Sequence, residues 1–262
     1  MISIITPTFN RASTLVRLFD SLLKQSCKDF EWIIVDDGSV DETRKVVNDF
    51  IREKKLNIKY IFQENQGKPS ALNNGLENAT REYVFPVDSD DILTEDSITT
   101  IVSRIKFHEY KGSDFSGLCF RKGDLKGVAL GKAIQTENLE FIFCSATDIK
   151  NIFQVDMAYC FKKEYMLVNK FPNFDDEKFV PELFVWNKIT DIFPVYVYLN
   201  KIIYLCEYLP DGLSANFKSQ LKSNPNGFLV YYKDQIFREV SFKNKLKMII
   251  RALQCYFYRI MR

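Results

Sequence analysis

Phe30-Glu31-Trp32-Ile33-Ile34-Val35-Asp36-Asp37-Gly38-Ser39 is a short, largely apolar run that stops at two aspartates, a glycine and a serine. Such a run, bounded by turn residues, reads as a buried strand, Phe30 to Val35, feeding a turn. The same pattern recurs on both sides. Upstream, Ile2 to Thr6 reads as a strand and Ser13 to Gln25 as a helix with Leu15, Leu18, Phe19, Leu22 and Leu23 on one face. Downstream come a helix from about Asp41 to Glu53, a strand Ile58 to Phe62, and a helix Ser70 to Asn78. A fourth strand, Tyr83 to Val87, then ends at Asp88-Ser89-Asp90-Asp91 before a helix from about Thr94 to Phe107. Strands alternating with helices imply right-handed βαβ units and a parallel sheet, so the expected fold class is α/β.

Parallel strands end on one edge of their sheet. Thr6-Pro7-Thr8, Asp36-Asp37 and Asp88-Ser89-Asp90 should therefore meet at one crevice, although up to about 80 residues separate them, and there an open α/β sheet binds ligands. The second half is less regular. Gly112 to Gln135 reads as loops and irregular strands, Val155 to Phe161 as a buried strand, and Pro181 to Ile192 as a helix with proline in its first turn. Val195 to Tyr198 and Ile202 to Leu205 read as two short strands split by Leu199-Asn200-Lys201. The organisation expected is one domain over residues 1–225, with a nucleotide-binding part (1–110) and an acceptor-binding part (111–225), then a helical extension over 226–262.

With 46% hydrophobic and 27% charged residues among 262, the chain is too apolar for disorder. Its longest apolar stretches fall far short of the roughly 20 residues that cross a bilayer. Met1-Ile2-Ser3-Ile4 lacks a basic leader, so a cytoplasmic protein, or one peripheral on the inner face of the cell membrane, is expected. Six cysteines without CxxC spacing read as reduced core thiols, and the single histidine, His108, cannot build a His-based zinc site.

The net charge of +2 hides an uneven distribution. Residues 218–262 carry ten Lys or Arg against Asp234 and Glu239, a balance of +8 that leaves −6 for the body. On charge alone, nucleic acid and an anionic membrane are both open as partners. Wound as a helix, residues 241–262 put Phe242, Leu246, Ile249, Leu253, Phe257 and Ile260 on one face and Lys243, Lys247, Arg251 and Arg262 on another. That is the pattern of an interfacial helix, so the partner expected of this segment is an anionic membrane surface and not nucleic acid.

Asp36-Asp37-Gly38-Ser39 alone is an ordinary turn whose aspartates bond locally, and acidic residues often gather at helix N-termini. Gathering Asp36, Asp37, Asp88, Asp90 and Asp91 round one crevice is different, because like charges repel unless a cation offsets them. Two carboxylates one residue apart suit Mg²⁺ or Mn²⁺ and leave positions for phosphate oxygens. No GxGxxG follows the first strand, and Gly67-Lys68-Pro69-Ser70 lacks the spacing of a P-loop.

Ile5-Thr6-Pro7-Thr8-Phe9-Asn10-Arg11, Val35-Asp36-Asp37-Gly38-Ser39, Asn65-Gln66-Gly67-Lys68 with Asn73-Asn74-Gly75, and Val87-Asp88-Ser89-Asp90-Asp91, taken in this order, resemble a family 2 glycosyltransferase of the GT-A fold. The likeness covers residues 1 to 110 and resumes at Phe171-Pro172-Asn173-Phe174 and Pro181-Glu182. It implies a mixed, mostly parallel sheet flanked by helices. It further implies that Pro7, Thr8, Phe9, Asn10 and Arg11 line the nucleoside pocket, that Asp37 bonds the base, and that Asp36 shapes the loop. Asp88 and Ser89 would meet the ribose side of the donor, Asp90 with Asp88 would hold Mn²⁺ or Mg²⁺, and Asn65, Lys68 and Asn73 would approach the nucleotide sugar. Asp91 would join the metal site.

Glu182 matches the family's general base, although the family often carries a Glu-Asp pair where this chain has Pro181-Glu182. Its plain alternative is a carboxylate in the first turn of a helix. Asp175, Asp176 and Glu177 compete nearby and look like a solvated loop. The activity implied is inverting transfer of a hexose or N-acetylhexosamine from a UDP-sugar to a lipid-linked saccharide, with Leu209 to Ser214 lining the acceptor pocket. A metal-dependent nucleotidyltransferase and a non-enzymatic metal-responsive module stay open as rivals.

Overall fold

The computed structural model describes residues 1–134, 139–207 and 217–261. The first half runs β1 (Ile2–Thr8), α1 (Ala12–Leu23), β2 (Phe30–Asp36), α2 (Thr43–Glu53), β3 (Ile58–Phe62), α3 (Lys68–Asn78), β4 (Tyr83–Pro86), β5 (Ile92–Leu93) and α4 (Ser97–Tyr110). The second half runs β6 (Gly117–Gly123), β7 (Phe141–Cys144), α5 (Ala146–Phe153), β8 (Ala158–Lys162), α6 (Lys163–Val168), α7 (Leu183–Ile192) and β9 (Val195–Leu205). Three helices follow, α8 (Phe217–Ser223), α9 (Pro225–Arg238) and α10 (Phe242–Ile260).

All strands join one mixed sheet in the order β3-β2-β1-β4-β8-β6-β9-β5, with β7 on β9. The four strands expected from the first half are parallel neighbours, in register Thr8↔Asp36 and Ile5↔Pro86. Successive side chains point to opposite faces. Accordingly Ile2, Ile4, Trp32 and Ile34 pack with α1, α2 and α4 on one face, while Ile5, Ile33 and Val35 pack with α3, α5 and α7 on the other. On the first face Phe19 and Phe50 stack at 4.0 Å between ring centroids beside Trp32. On the second, α3 lies so near β1 that a Cβ on Gly75 would sit 2.4 Å from Ile5 Cγ2.

Two expectations are corrected. Val195 to Leu205 is one strand, not two, because Leu199-Asn200-Lys201 form a bulge: Phe120 pairs with Tyr198 and the next residue, Arg121, with Ile202. Pro181 stands ahead of α7 instead of inside it. His108 is structural. It is buried, stacked at 3.6 Å on Tyr196, with Nε2 3.0 Å from the Tyr198 hydroxyl. All six cysteines are free, as expected.

The last helices carry their own small core of Leu221, Phe228, Leu229, Tyr232, Met248, Ala252 and Cys255. No helix among the described residues is long and apolar enough to cross a membrane. Leu209 to Ser214 and Arg262 lie outside the described residues.

Candidate functional site

The crevice at the C-terminal ends of β1, β2 and β4 is built by side chains that tie its loops together. Asp36 is fully buried, with Oδ1 accepting from the Ser39 amide at 2.8 Å and Oδ2 from the Tyr60 hydroxyl at 2.7 Å. Burial, then the Asp36 carboxylate, push the Tyr60 phenol well above its ordinary range. Asn10, at φ 52°, bridges the first two loops: its amide donates to Ser39 Oγ and its Oδ1 accepts from the Val40 amide, both at 2.9 Å. The Arg11 amide donates to Thr43 Oγ1 at 3.2 Å. Pro7 and Thr8 are buried beneath this loop, and Phe9 is exposed above it.

Asp37 faces the third loop. Its Oδ1 accepts from Gln63 Nε2 and the Gln66 amide, and its Oδ2 from the Gly67 amide, each at 2.8 Å. One acceptor position on Oδ2 remains beyond these three donors. Gly67 must be glycine twice over, since its φ is 90° and a Cβ there would fall 2.2 Å from the Lys178 carbonyl oxygen. The turn thereby delivers Lys68 at the start of α3, aimed into the crevice.

Lys68 Nζ lies 2.6 Å from Asp88 Oδ1 and 2.7 Å from Glu182 Oε1. Burial disfavours its charge, but the two carboxylates more than restore it and hold the ammonium above its usual range. The Asp88 amide donates to the Tyr204 hydroxyl at 2.9 Å, and that hydroxyl bonds the Asp91 carboxyl. Lys122, from β6, sits 4.3 Å from the Tyr204 ring centroid and within electrostatic reach of Asp88, Asp91 and Glu182.

These charges divide the acidic turn. Against burial, Lys68 and Lys122 hold the Asp88 carboxyl below its usual range. Burial and the neighbouring Asp88 charge raise Asp90, and the same two causes push Asp91 up to about 7. Two carboxyls with raised affinity for protons beside an ionised third make a place where a dication relieves repulsion. Their hard oxygens suit Mg²⁺ or Mn²⁺. Among the described residues no three acidic, imidazole or thiol groups converge closely enough to hold a metal ion.

Glu182 is delivered by a loop pinned from three sides. Asn73 clasps the Phe171 backbone, donating from Nδ2 to the carbonyl at 2.9 Å and accepting the amide on Oδ1 at 3.0 Å. Asn73 is thus a strap for this loop. The Lys178 amide donates to Asn224 Oδ1 at 2.8 Å. Glu177 is buried, not solvated: it caps α9, accepting from the Asn226 amide, Asn226 Nδ2 and the Gly227 amide at 2.8 to 2.9 Å. Asp175 and Asp176 are exposed.

Two polar atoms of the expected donor pocket, Thr8 Oγ1 and Asn65 Oδ1, are buried without a hydrogen-bond partner. Buried polar atoms are normally paired, so such orphans mark a place for a ligand's donors. The structure also brings in Lys122, Tyr204, Tyr60 and Gln63, which sequence reasoning missed. Lys122 had a faint signal, a charge closing the apolar run Leu118-Cys119-Phe120.

Residues 3–138 match the family model described as glycosyl transferase family 2. A β-1,3-glucosyltransferase of Campylobacter jejuni, named for a GalNAc(5)-diNAcBac-PP-undecaprenol substrate, is 32% identical over 192 residues, 71% of this chain and 58% of its own length. The chain spans between 18% and 62% of the length of the curated relatives it matches. TarS 1-349 of S. aureus, solved with UDP-GlcNAc, superposes over 98% of this chain and 72% of that one, with a TM-score of 0.68 at 18% identity. Mannosyltransferase PcManGT of Pyrobaculum calidifontis, solved with GDP-Man and Mn²⁺, superposes over 98% and 73%, with a TM-score of 0.61 at 18% identity. The fold is that of the GT-A glycosyltransferases.

Proposed function

The chain belongs to glycosyl transferase family 2, and from that premise we propose that it moves a hexose or N-acetylhexosamine, with inversion, from a UDP-sugar to a lipid-linked saccharide. Its being a glycosyltransferase displaces the nucleotidyltransferase and binding-module rivals. The observation that carries the reading is the Lys68 ammonium shared by Asp88 and Glu182. It joins the acidic turn, suited to a diphosphate, to a carboxylate suited to activating a hydroxyl.

The nucleoside lies over Pro7, Thr8 and Phe9. Its uracil N3–H is met by the free position on Asp37 Oδ2 or by the orphaned Asn65 Oδ1, and Thr8 Oγ1 takes a further donor. Asp88 and Ser89 flank the ribose. Asp90, with Asp88 in support, would hold a Mn²⁺ or Mg²⁺ ion. When bound, such an ion would supply charge that offsets that of the diphosphate. Lys68 and Lys122 add fixed positive charge beside it.

Glu182 is the base. The acceptor O–H proton passes to its carboxylate as the acceptor oxygen bonds the anomeric carbon and the bond from that carbon to the diphosphate oxygen breaks. Attack on the face opposite the leaving group inverts the centre. Lys68, 2.7 Å from its Oε1, orients Glu182 until the acceptor arrives.

The Campylobacter relative supports a lipid-linked acceptor by its name. We accordingly put the enzyme at the cytoplasmic face of the cell membrane. The test is nucleotide release and thermal shift with Mn²⁺ and a panel of UDP- and GDP-sugars. UDP-sugars should stabilise the protein and release UDP, whereas a response to GDP-mannose alone would overturn the proposed base recognition.

A further inference from the structure

Helix α10 buries one stripe and exposes another. Met248, Ala252 and Cys255 pack it onto α9. On a helical wheel Phe242, Leu246, Ile249, Leu253, Phe257 and Ile260 form a band well away from that stripe. Every one of these six is exposed, Phe242 to 80% and Ile260 to 83%. The end of α9 and the turn after it expose two more apolar side chains, Phe237 at 87% and Val240 at 97%. A contiguous apolar patch of this kind marks an interaction surface.

Charge identifies the partner. From Phe242 to Met261 the chain has Lys243, Lys245, Lys247, Arg251 and Arg259 and no acidic residue. Lys243 and Lys247 lie along one edge of the apolar band and Lys245 along the other. Glu239, the acid nearest in sequence, is buried and held by Lys150 and Asn244. Between Lys243, Lys247 and Arg251 runs a shallow groove of about 340 Å³, also lined by Leu246 and Ile250. Its mix of cations and aliphatic side chains matches a phospholipid, with phosphate at the cations and acyl chain along the aliphatics. A second copy of the same face would instead bring like charges together.

The α9–α10 hairpin is also fastened to α7, the helix that Glu182 precedes. Arg238 grips Asp191, near the C-terminal end of α7, through two bonds of 2.7 and 2.6 Å, and also Asp234 at 2.7 Å. Asn187 of α7 donates to Asp234 at 3.1 Å, and Glu177 caps α9 just ahead of Glu182. A surface seated on lipid would therefore hold the base at a set height above it.

We propose that the α9–α10 turn and the outer face of α10 form a docking surface for an anionic phospholipid bilayer, with the phosphate groups received by Lys243 and Lys247. The docking does not depend on which sugar is moved, and its test uses neither donor nor acceptor.

The test is flotation of the full chain with vesicles of phosphatidylglycerol and phosphatidylcholine, beside vesicles of phosphatidylcholine alone. Binding is expected to the mixed vesicles and to fall with added salt. Leu253→Asp with Phe257→Asp changes two exposed side chains and should reduce binding about tenfold or more. Lys243→Gln with Lys247→Gln should remove the preference for anionic vesicles, and it carries the same test should the first pair fail to fold. Equal binding by parent and both pairs overturns the proposal. So does a light-scattering mass of a dimer that the Leu253→Asp, Phe257→Asp pair converts to monomer, which would give the surface to a second copy.

Discussion

The ammonium of Lys68 stands 2.7 Å from Glu182 Oε1, and the two residues, 114 positions apart in sequence, stand at the starts of two helices on one face of the sheet. Lys68 opens α3 after a glycine turn that Asp37 holds, whereas Glu182 precedes α7 on a loop that Asn73 and Glu177 hold. Glu182→Gln keeps the volume and loses the proton acceptor. Calorimetry should show UDP-sugar bound nearly as by the parent, while transfer falls at least about a hundredfold, the low end for general-base loss. Transfer that survives here but vanishes on changing Asp175 or Asp176 would move the base to the preceding loop.

Lys68→Met should be worse than its surface exposure implies. It leaves Asp88 and Glu182 without their shared cation, and an uncompensated carboxylate pair is costly. Both donor affinity and transfer should drop, and Lys68→Arg should restore donor affinity in part. Unchanged donor affinity in the methionine variant would show that the ion pair is incidental.

Donor binding should require a divalent cation through Asp90. Asp90→Asn retains the shape of the turn and removes a hard anionic ligand, so the donor affinity gained with Mn²⁺ should disappear. Titrations with Mn²⁺ and with EDTA separate the cases. Parent affinity that ignores EDTA contradicts the metal reading.

Asp37→Ala takes the acceptor from three donors of the 63–67 loop. Losing charge-assisted bonds to buried amides should cost about 2–4 kcal/mol of stability. The donor dissociation constant should rise with it, because the same loop presents Asn65 and Lys68. Urea unfolding and donor titration should therefore move together, and a stability change alone would leave this loop out of donor binding.

His108 predicts a pH dependence far from the crevice. Burial, then Lys111 and Arg104, lower its imidazole pKa to about 4 from an ordinary 6.5. Between those values the unfolded chain binds a proton that the folded chain refuses. Stability is thus full above pH 6.5 and declines as pH falls towards 4, by up to about 3 kcal/mol. Urea midpoints at pH 7.5 and 5 should separate in the parent and draw together in His108→Phe, apart from a contribution shared by other groups.

Local chemistry made much of this molecule legible without coordinates. Strands of alternating or continuous apolar residues, closed by proline, aspartate and glycine, announce β1 to β4 because side-chain period and turn conformation are properties of neighbouring residues. The two acidic turns followed from them, since parallel strands must end together. The amphipathic face of α10 was visible for the same reason of period. Tertiary structure decided what depends on residues distant in sequence. That Asn73 clasps the Phe171 backbone with both ends of its amide shows only in the fold, and Glu177 looked solvated until the start of α9 came to rest on it. Lys122 and Tyr204 entered the acidic turn only through the pairing of β6 with β9, whose register shifts over a three-residue bulge. Composition and period act within a few residues, so they determine strands, turns and faces. Which carboxylate meets which ammonium depends on how the layers dock, and only the folded sheet, by stacking α3 and α7 on one face, brought Lys68 between Asp88 and Glu182.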